Sequence, residues 1–412
     1  MQEKNLSVYI FSSLIIISLV GFCHTAIAAT SGKTVITPPL EISGWIPYWR
    51  EASGTAEALA HIASFTEISP FGFTVKQDGT LFDPMKINSD PWPALIATAK
   101  SHKVKIIPTI TWSDDDTIDA ILRNPKTRAA HVAAIVALVK SNNFDGIDID
   151  YEGKKAETEK YFSLFLHDLW YAIGNKVVSC TIEARTPLDA RFAVIPKDIQ
   201  YANDYAAINK YCDQVRIMAY DQGTVDLKLN KAAQGPYVPV ADPQWVEKVI
   251  RLAEQTIAKK KIVIGVATYG YVYNVQPLQG GGYQYDRISA FDQNYATDIA
   301  SQFGITPQRN SAGELSFSYT PTSTPVVMPD PTVATTSTSL DTSTFMQTSV
   351  TNSIGSTTAP QIPITPPFRL LWWSDASAIK DKIALAKKLG VRGIVLFKLD
   401  GGADPAVWNV LK

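Results

Sequence analysis

The sequence predicts an α/β protein, a (β/α)8 barrel that carries a small α+β insertion between its seventh and eighth strands. After residue 40, short runs of β-branched and aromatic residues alternate with longer amphipathic segments. About eight such units follow one another, which favours parallel strands joined by crossover helices and closed into a barrel. One interval, residues 274–368, is too long for a crossover helix and predicts the insertion.

The strand-like and helix-like runs follow one another in order. The predicted strands are 41–49, 65–75, 104–112, 144–152, 176–184, 213–221, 261–270 and 391–400. Apolar residues at three- and four-residue spacing predict helices over 91–103, 126–142, 159–174, 242–260 and 375–390. Gly174 and Gly390 stand where helix C-caps are expected. An open doubly wound sheet is the alternative, but no Gly-rich phosphate loop follows the first strand.

The domain boundaries follow from this pattern. The barrel is expected over 40–273 and 369–412, with the inserted subdomain between them. Within the insertion, residues 320–367 are rich in Ser, Thr and Pro, and we expect a flexible loop because this composition buries little apolar surface. A linker between two domains is the alternative. It is disfavoured because only one more helix and one more strand follow.

The amino terminus predicts export. Lys4 precedes an apolar run from Val8 to Phe22, and Ala26 and Ala28 then offer small residues to a signal peptidase. We interpret residues 1–28 as a cleaved signal peptide and expect a secreted or cell-envelope protein. An uncleaved membrane anchor is the alternative, although the run is short for a bilayer span.

Composition excludes several classes of protein. The net charge is −1 and the basic residues are scattered, which argues against nucleic-acid binding. Cys180 and Cys212, which remain after the signal peptide, could form one disulfide or stay as two buried thiols. The five His residues show no metal-binding pattern. We therefore expect no metal and no cofactor, and we expect a monomer.

The segment FDGIDIDYEG, residues 144–153, concentrates acidic residues in a predicted strand. Side chains alternate along a strand, so Asp148, Asp150 and Glu152 share one face, which should point into the barrel. Glu152 lies at the carboxyl end, where barrel enzymes keep their chemistry. Acids this close cannot all ionise cheaply, so one should hold a proton and could act as a general acid. The alternative is a row of buried acids satisfied by basic or backbone donors; Asp145, on the other face, should be structural.

DGIDIDYE resembles the DGxDxDxE signature of glycoside hydrolase family 18, the chitinase-like family. MAYD, residues 218–221, resembles the family's MxYD motif, and the resemblance covers residues 41–412 apart from the Ser/Thr/Pro-rich segment. The carboxyl-terminal section is similar to that of bacterial members, including the spore-cortex and cell-wall hydrolase branch. The resemblance implies a glycosidase acting on β-1,4-linked N-acetylglucosamine polymers, chitin or peptidoglycan, by a retaining, substrate-assisted mechanism.

The resemblance also implies a role for each site residue. Glu152 would protonate the leaving oxygen and then activate water. Asp150 would orient the acetamido group, and Asp148 would support Asp150, with which it could share a proton. Tyr220 would hydrogen-bond the acetamido carbonyl, and Asp221 would contact the sugar.

Two departures from the family pattern stand out. PTITW, residues 108–112, replaces the common SxGG and favours the cell-wall branch, and Phe397 stands where a Trp is common. Further candidate sugar contacts lie at strand ends: Trp45, Tyr48, Trp49, Trp112, Glu183 and Arg185. The last two could equally form a salt bridge. A chitinase-like carbohydrate-binding protein is the rival function, and an endo-acting enzyme on N-glycans is a third reading; the complete acid set favours an enzyme.

Overall fold

The computed structural model describes residues 39–321 and 366–411. The predicted signal peptide and residues 322–365 of the predicted Ser/Thr/Pro-rich loop lie outside these ranges. Within them, no helix combines the length and the apolar character that a membrane span requires.

The described residues form strands and helices in regular alternation. The strands are β1 (Glu41–Pro47), β2 (Glu67–Val75), β3 (Leu81–Phe82), β4 (Lys105–Ile106), β5 (Thr109–Trp112), β6 (Gly146–Tyr151), β7 (Val177–Glu183), β8 (Gln214–Met218), β9 (Ile262–Ala267), β10 (Gly270–Pro277), β11 (Tyr283–Phe291), β12 (Gln308–Arg309), β13 (Leu315–Tyr319), β14 (Phe368–Trp373) and β15 (Gly393–Phe397). The helices are α1 (Glu51–Ala60), α2 (Trp92–Ser101), α3 (Asp115–Arg123), α4 (Pro125–Ser141), α5 (Glu159–Ile173), α6 (Leu188–Arg191), α7 (Tyr205–Tyr211), α8 (Leu227–Ala232), α9 (Pro243–Ala253), α10 (Gln293–Gln302), α11 (Ala376–Leu389) and α12 (Val407–Val410).

In the described part of the chain, eight parallel strands close a barrel in the order β1-β2-β5-β6-β7-β8-β9-β15. The circuit closes because β1 pairs in parallel with both β2 and β15. β4 precedes β5 along the third barrel strand, and β3 folds back against the end of β2. The predicted (β/α)8 fold is confirmed.

The alternation in β6 shows why these residues form a barrel strand. Ile147, Ile149 and Tyr151 point outward and are fully buried beneath the helices, where the Tyr151 ring packs on Phe162 and Phe165 of α5. Burying such large apolar side chains stabilises the fold by about 1.5–3 kcal/mol each. The acidic residues between them are thereby directed into the barrel.

The insertion is built on an antiparallel sheet in the order β11-β10-β14-β13-β12. It begins at Gly270 rather than at the expected residue 274, and β14 extends to Trp373 rather than ending at 368. The shift arises because β10 follows β9 almost directly, so the single strand-like run 261–270 passes from the barrel into the second sheet. One face of this sheet packs on α10, and the other packs on the barrel.

Glu314 joins the insertion to the barrel. Its buried carboxylate accepts hydrogen bonds from the backbone N–H groups of Val240 and Ala241, each at 2.9 Å. Nε1 of Trp372 donates to the same carboxylate at 2.7 Å, and Nζ of Lys382 lies 3.6 Å away. These contacts fix the insertion against the loop that precedes α9.

Cys180 and Cys212 form a disulfide that links β7 to the residue following α7. Both side chains are fully buried, and the bond closes a sequence separation of 32 residues. The structure therefore selects the disulfide over the two free thiols that the sequence equally allowed.

Replacing both Cys180 and Cys212 with Ala should lower the free energy of unfolding by about 2–4 kcal/mol, because the unfolded chain gains the freedom that the crosslink removes. Denaturant unfolding of the oxidised wild type beside the double variant measures the difference. An unchanged unfolding midpoint at an unchanged slope would contradict it.

His131 is buried between α4 and β6. Nδ1 donates to the carbonyl oxygen of Gly79 at 2.7 Å, so the neutral ring accepts at Nε2 from the Tyr151 hydroxyl, 2.5 Å away. Burial lowers the pKa of His131 from 6.5 to about 4. The native protein thus keeps this ring neutral at pH values where the unfolded chain protonates it.

Because the unfolded state binds this extra proton, the contribution of His131 to stability is present above pH 6.5 and falls as the pH drops towards 4. We expect a loss of up to about 3 kcal/mol over this window. His131→Gln can keep both hydrogen bonds without titrating, so it should lose less stability over the same window. Equal pH dependence of unfolding in the two proteins would exclude His131 as the source.

Candidate active site

The acidic row on β6 faces the barrel interior, as predicted. Asp148 and Asp150 are buried on the inner face, and half-buried Glu152 follows the end of the strand. The backbone N–H of Glu152 donates to the carbonyl oxygen of Trp112 at 2.8 Å, which continues the pairing with β5. Gly153, at φ +63°, then turns the chain away from the barrel.

Asp148 is fully paired within the barrel. Oδ1 accepts hydrogen bonds from the hydroxyls of Ser179 and Thr181, at 2.7 and 2.9 Å. Oδ2 accepts from the Trp45 indole, the Thr109 hydroxyl and Nη1 of Arg216, at 3.1, 2.8 and 3.0 Å. Donors from four other strands therefore fix the position of this carboxylate inside the barrel.

Arg216 on β8 is the cation that balances this carboxylate, and the sequence reading missed it. Its guanidinium is fully buried, pairs with both Asp148 and Glu67, and lies 5.1 Å from the Trp45 ring centroid. Burial raises the pKa of Glu67, although Arg216 opposes the shift. The expected proton sharing between Asp148 and Asp150 does not form, because the Asp148 oxygens are occupied by other donors. An Arg within the predicted strand 213–221, DQVRIMAYD, could have indicated this buried cation from the sequence.

Asp150 differs from Asp148 in having an open acceptor. Its Oδ1 is buried, and nothing in the described ranges donates a hydrogen bond to it. Burial raises the pKa of Asp150 well above its usual range, and the nearby charge of Glu152 adds to the shift. The carboxyl group is therefore available to a ligand placed above it.

Glu152 is suited to carry a proton at neutral pH. Burial raises its pKa to about 8, and the charge of Glu183 contributes next. Lys154 opposes the shift, and Asp221 adds to it. A carboxyl group that remains protonated at pH 7 and opens to the barrel mouth can act as a general acid.

Glu183 and Arg185 do not pair with each other. Glu183 accepts from the backbone N–H of Gly153 at 3.0 Å and from Nδ2 of Asn203 at 2.7 Å. Arg185 is held between the rings of Tyr201 and Tyr205, with its guanidinium carbon 3.5 and 4.0 Å from their centroids. The alternative of a salt bridge between the two residues is therefore wrong.

Tyr220 and Phe397 form the floor of the site. The two rings are stacked, with centroids 5.7 Å apart and an interplanar angle of 11°. A Cβ atom on Gly265 would lie 2.8 Å from Cε1 of Tyr220, so a larger residue on β9 would displace this ring. Burial and the nearby Asp150 charge raise the pKa of Tyr220, so its hydroxyl stays protonated and can donate.

Asp221 lies beside this floor with a left-handed backbone, at φ +56°. Oδ1 accepts hydrogen bonds from the hydroxyls of Tyr269 and Tyr271, at 2.8 and 2.7 Å. Oδ2 is buried, and no donor to it is found among the residues that the structure describes. Burial raises the pKa of Asp221 despite the two hydroxyl donors. The predicted strand 261–270 includes Tyr269, but neither Tyr269 nor Tyr271 was predicted as a partner of Asp221.

The proposed sugar contacts by Trp45 and Trp112 do not fit the structure. Trp45 is 1% exposed, and its indole N–H donates to Thr109 and to Asp148, the deepest member of the acidic row. Trp112 is 4% exposed and points outward, where it packs on His131 and Tyr151.

Other aromatic side chains remain accessible at the barrel mouth. Trp49 is partly exposed and lies edge-on to Tyr48 and Phe71, with ring centroids 5.1 and 5.9 Å away. Phe71 in turn contacts Phe397 at 5.9 Å. These rings form an aromatic row, Tyr48-Trp49-Phe71-Phe397, that leads to the acids.

The acidic residues do not form a metal centre. Among the described residues, no group of three or more His, Cys, Asp and Glu side chains is arranged to hold a metal ion. The arrangement instead combines a protonated acid, an unpaired buried carboxyl group and a stacked aromatic floor.

A family model agrees with this geometry. The model for glycosyl hydrolases family 18 matches residues 44–402, which include the whole acidic row and all but the first three residues of the two sheets. The chain belongs to glycosyl hydrolases family 18. The members of this family are glycosyl hydrolases, and the family acts on N-acetylglucosamine-containing polysaccharides such as chitin or peptidoglycan.

Similar proteins include two from Bacillus subtilis and a chitinase of known structure. The cortical fragment-lytic enzyme of Bacillus subtilis (strain 168) is 24% identical over 376 residues, covering 89% of this chain and 72% of the relative. The uncharacterized glycosylase YvbX of the same strain is 24% identical over 40% of this chain, and the alignment spans only 44% of YvbX. A crystal structure of chitinase from Chromobacterium violaceum ATCC 12472 matches with a TM-score of 0.64 and 18% identity, over 90% of this chain and 98% of that chain. This last likeness shows the fold.

Proposed function

We propose that this family 18 protein is an exported glycosidase that cleaves β-1,4-linked N-acetylglucosamine polymers, either chitin or the glycan of peptidoglycan. The arrangement of Glu152 and Asp150 carries the proposal. Glu152 keeps a proton at the barrel mouth, and beside it the buried Asp150 presents an acceptor, Oδ1, to which none of the described residues donates. An enzyme site, rather than a binding groove, accounts for the cost of burying these two groups.

We propose for this site the reaction that the resemblance to family 18 implies, with these polar groups in the following roles. Glu152 donates its proton to the glycosidic oxygen as the bond to the anomeric carbon breaks. The acetamido oxygen of the substrate attacks that carbon and forms a cyclic oxazolinium ion. Asp150 accepts a hydrogen bond from the acetamido N–H and stabilises the positive charge that develops there. The Tyr220 hydroxyl donates to the acetamido oxygen and holds it in line.

The second step regenerates the acid. Glu152, now a carboxylate, accepts a proton from water while the water oxygen attacks the anomeric carbon and opens the oxazolinium ring. Two displacements at one carbon retain its configuration. Asp221 contacts the sugar through its unpaired Oδ2, and the aromatic row Tyr48-Trp49-Phe71-Phe397 supplies apolar faces on which sugar rings stack.

Two observations support export. The amino-terminal sequence has the pattern of a signal peptide. The buried disulfide between Cys180 and Cys212 belongs in an oxidising compartment, outside the cytosol. We infer that the protein acts at or beyond the cell envelope.

Turnover assays on three substrates test the proposed function. Labelled chitooligosaccharides, insoluble chitin and purified peptidoglycan are incubated with the protein, and the configuration of the new reducing end is read by NMR immediately after cleavage. We expect the β-anomer as first product. Cleavage of peptidoglycan alone would assign the cell-wall branch, and cleavage of chitin alone would assign a chitinase. Binding without cleavage of any of them would contradict the proposal and support a carbohydrate-binding protein.

A further inference from the structure

Glu183 lies beside the proposed proton donor and is tied to it through the backbone. Its Oε1 accepts the N–H of Gly153, the residue that follows Glu152, at 3.0 Å. Its Oε2 accepts from Nδ2 of Asn203 at 2.7 Å. Because Gly153 forms the turn that ends the acidic segment, the Glu183 carboxylate fixes the position at which Glu152 leaves β6.

We propose that Glu183 is a positioning residue for the reaction, which holds the turn after Glu152 and whose negative charge keeps the proton on Glu152. This inference rests on the proposed function, because it assigns Glu152 as the general acid. Two carboxyl groups in one low-dielectric site cannot both ionise cheaply. The two carboxyl groups differ in their hydrogen bonds, which favours a charge on only one of them. Glu183 accepts from two donors, whereas none of the described residues donates to the Glu152 carboxyl group.

The charged groups around Glu183 and Glu152 also favour a charge on Glu183 and a proton on Glu152. Burial opposes ionisation of Glu183, but Lys154 and the donors from Gly153 and Asn203 hold its pKa below the usual range. The same Glu183 charge is the largest contribution after burial to the raised pKa of Glu152. Glu183 therefore carries the charge while Glu152 carries the proton.

Other titratable groups face Glu152 and Glu183. Their effects on the pKa of Glu152 are smaller than that of Glu183 or opposite in direction. Lys154 lies in the turn, with its ammonium bonded to the Tyr151 carbonyl and placed 4.5 Å from the Phe162 ring centroid. Asp150 faces Glu152 from β6, and Asp221 faces it from the segment that follows β8. Around Glu183 the charged and titratable side chains are those of Lys154, Asp150 and Tyr205.

The chain offers an isosteric way to remove the charge. In Glu183→Gln, the amide oxygen can still accept from the Gly153 N–H. Its NH2 group would then face Asn203, whose Oδ1 is buried and lacks a donor among residues 39–321 and 366–411. A rotation of the Asn203 amide turns this oxygen towards the new donor, so both hydrogen bonds persist. The substitution thus changes charge while preserving the turn.

The experiment compares the pH dependence of kcat/KM for wild type, Glu183→Gln and Glu183→Asp. In the wild type we expect the alkaline limb near pH 8, where Glu152 loses its proton. Glu183→Gln should move this limb down by about one pH unit, since one neighbouring like charge is removed. Glu183→Asp keeps the charge but is too short for both hydrogen bonds. It should leave the limb in place while lowering kcat.

Two results would overturn the proposal. The first is an alkaline limb that does not move in Glu183→Gln. The second is an equal shift in Glu183→Gln and Glu183→Asp, which would show that geometry rather than charge sets the limb. Carbon-13 NMR of the Glu152 carboxyl group, recorded across the same pH range in folded protein, reads the titration without turnover. It therefore decides the inference even if none of the tested substrates is cleaved.

Discussion

Replacing Glu152 with Gln should reduce hydrolysis of N-acetylglucosamine oligosaccharides by a factor of about 10²–10⁴. Gln keeps the size and polarity of the side chain but cannot donate an acidic proton to the leaving oxygen. It also cannot take a proton from the attacking water, so both chemical steps lose their catalyst. Binding should persist, because Asp150, Tyr220 and Asp221 are unchanged.

Asp145→Asn is a matched control within the same ten residues. Asp145 sits on the opposite face, and its Oδ2 accepts the backbone N–H of Ile106 at 2.8 Å, a bond that the Asn oxygen can keep. We expect near wild-type turnover from this variant. The assignment of Glu152 fails if Glu152→Gln retains activity, or if Asp145→Asn loses as much as Glu152→Gln does. Initial rates on one labelled oligosaccharide, with thermal melting of each variant, give the comparison.

The sequence predicted the acidic row because strand periodicity is a local property. Alternating Ile and Asp residues on β6 set the inward face, and the position of Glu152 at the strand end then follows from the barrel. The same rule, applied to β5, would have corrected Trp112. Trp112 pairs with outward-facing Tyr151, whereas Thr111 pairs with inward-facing Asp150. The inward or outward alternation along the strand therefore predicts the environment of Trp112 better than its aromatic character at a strand end does.

The partners of the acids could not be predicted from strand periodicity, because they come from distant parts of the chain. Arg216 lies 68 residues from Asp148 and 149 residues from Glu67 in sequence, and only closure of the barrel brings the three together. The expectation that Asp148 shares a proton with Asp150 was wrong for this reason. Asp148 pairs with Arg216 from across the barrel, and sequence distance hides that partner.

No helix was predicted over α1, the segment EASGTAEALA, although its four Ala, two Glu and one Leu favour a helix. The Ser, Gly and Thr at its centre interrupt the apolar spacing by which the other helices were predicted. Gly54 is placed where a Cβ atom would lie 2.4 Å from the carbonyl oxygen of Leu399, so the small residue allows the helix to approach the loop after β15.

The largest effect on stability is expected from Arg216→Met. Arg216 is fully buried between Asp148 and Glu67, so its removal leaves two buried carboxylates without a cation. Breaking a buried pair in this way costs about 3–5 kcal/mol, much more than the pair itself contributes. Arg392→Met is the matched control, because Arg392 pairs with Glu41 at 2.6 Å in a partly exposed position. A loss below about 1 kcal/mol is expected there.

The pH dependence of the Arg216→Met variant distinguishes lost charge balance from lost packing. Without the guanidinium, Glu67 loses the charge that opposes the effect of burial, so its folded pKa rises further above that of the unfolded chain. The folded variant then binds more protons than the unfolded chain, and its free energy of unfolding falls as pH rises from about 5 to 8. The raised pKa values of Asp150, Glu152 and Asp221 give wild type a decline of its own, so the curve of the variant should be steeper, and adding Glu67→Gln to the variant should reduce the difference. Denaturant unfolding across this pH range measures each curve, and a pH-independent loss in Arg216→Met would assign its effect to packing alone.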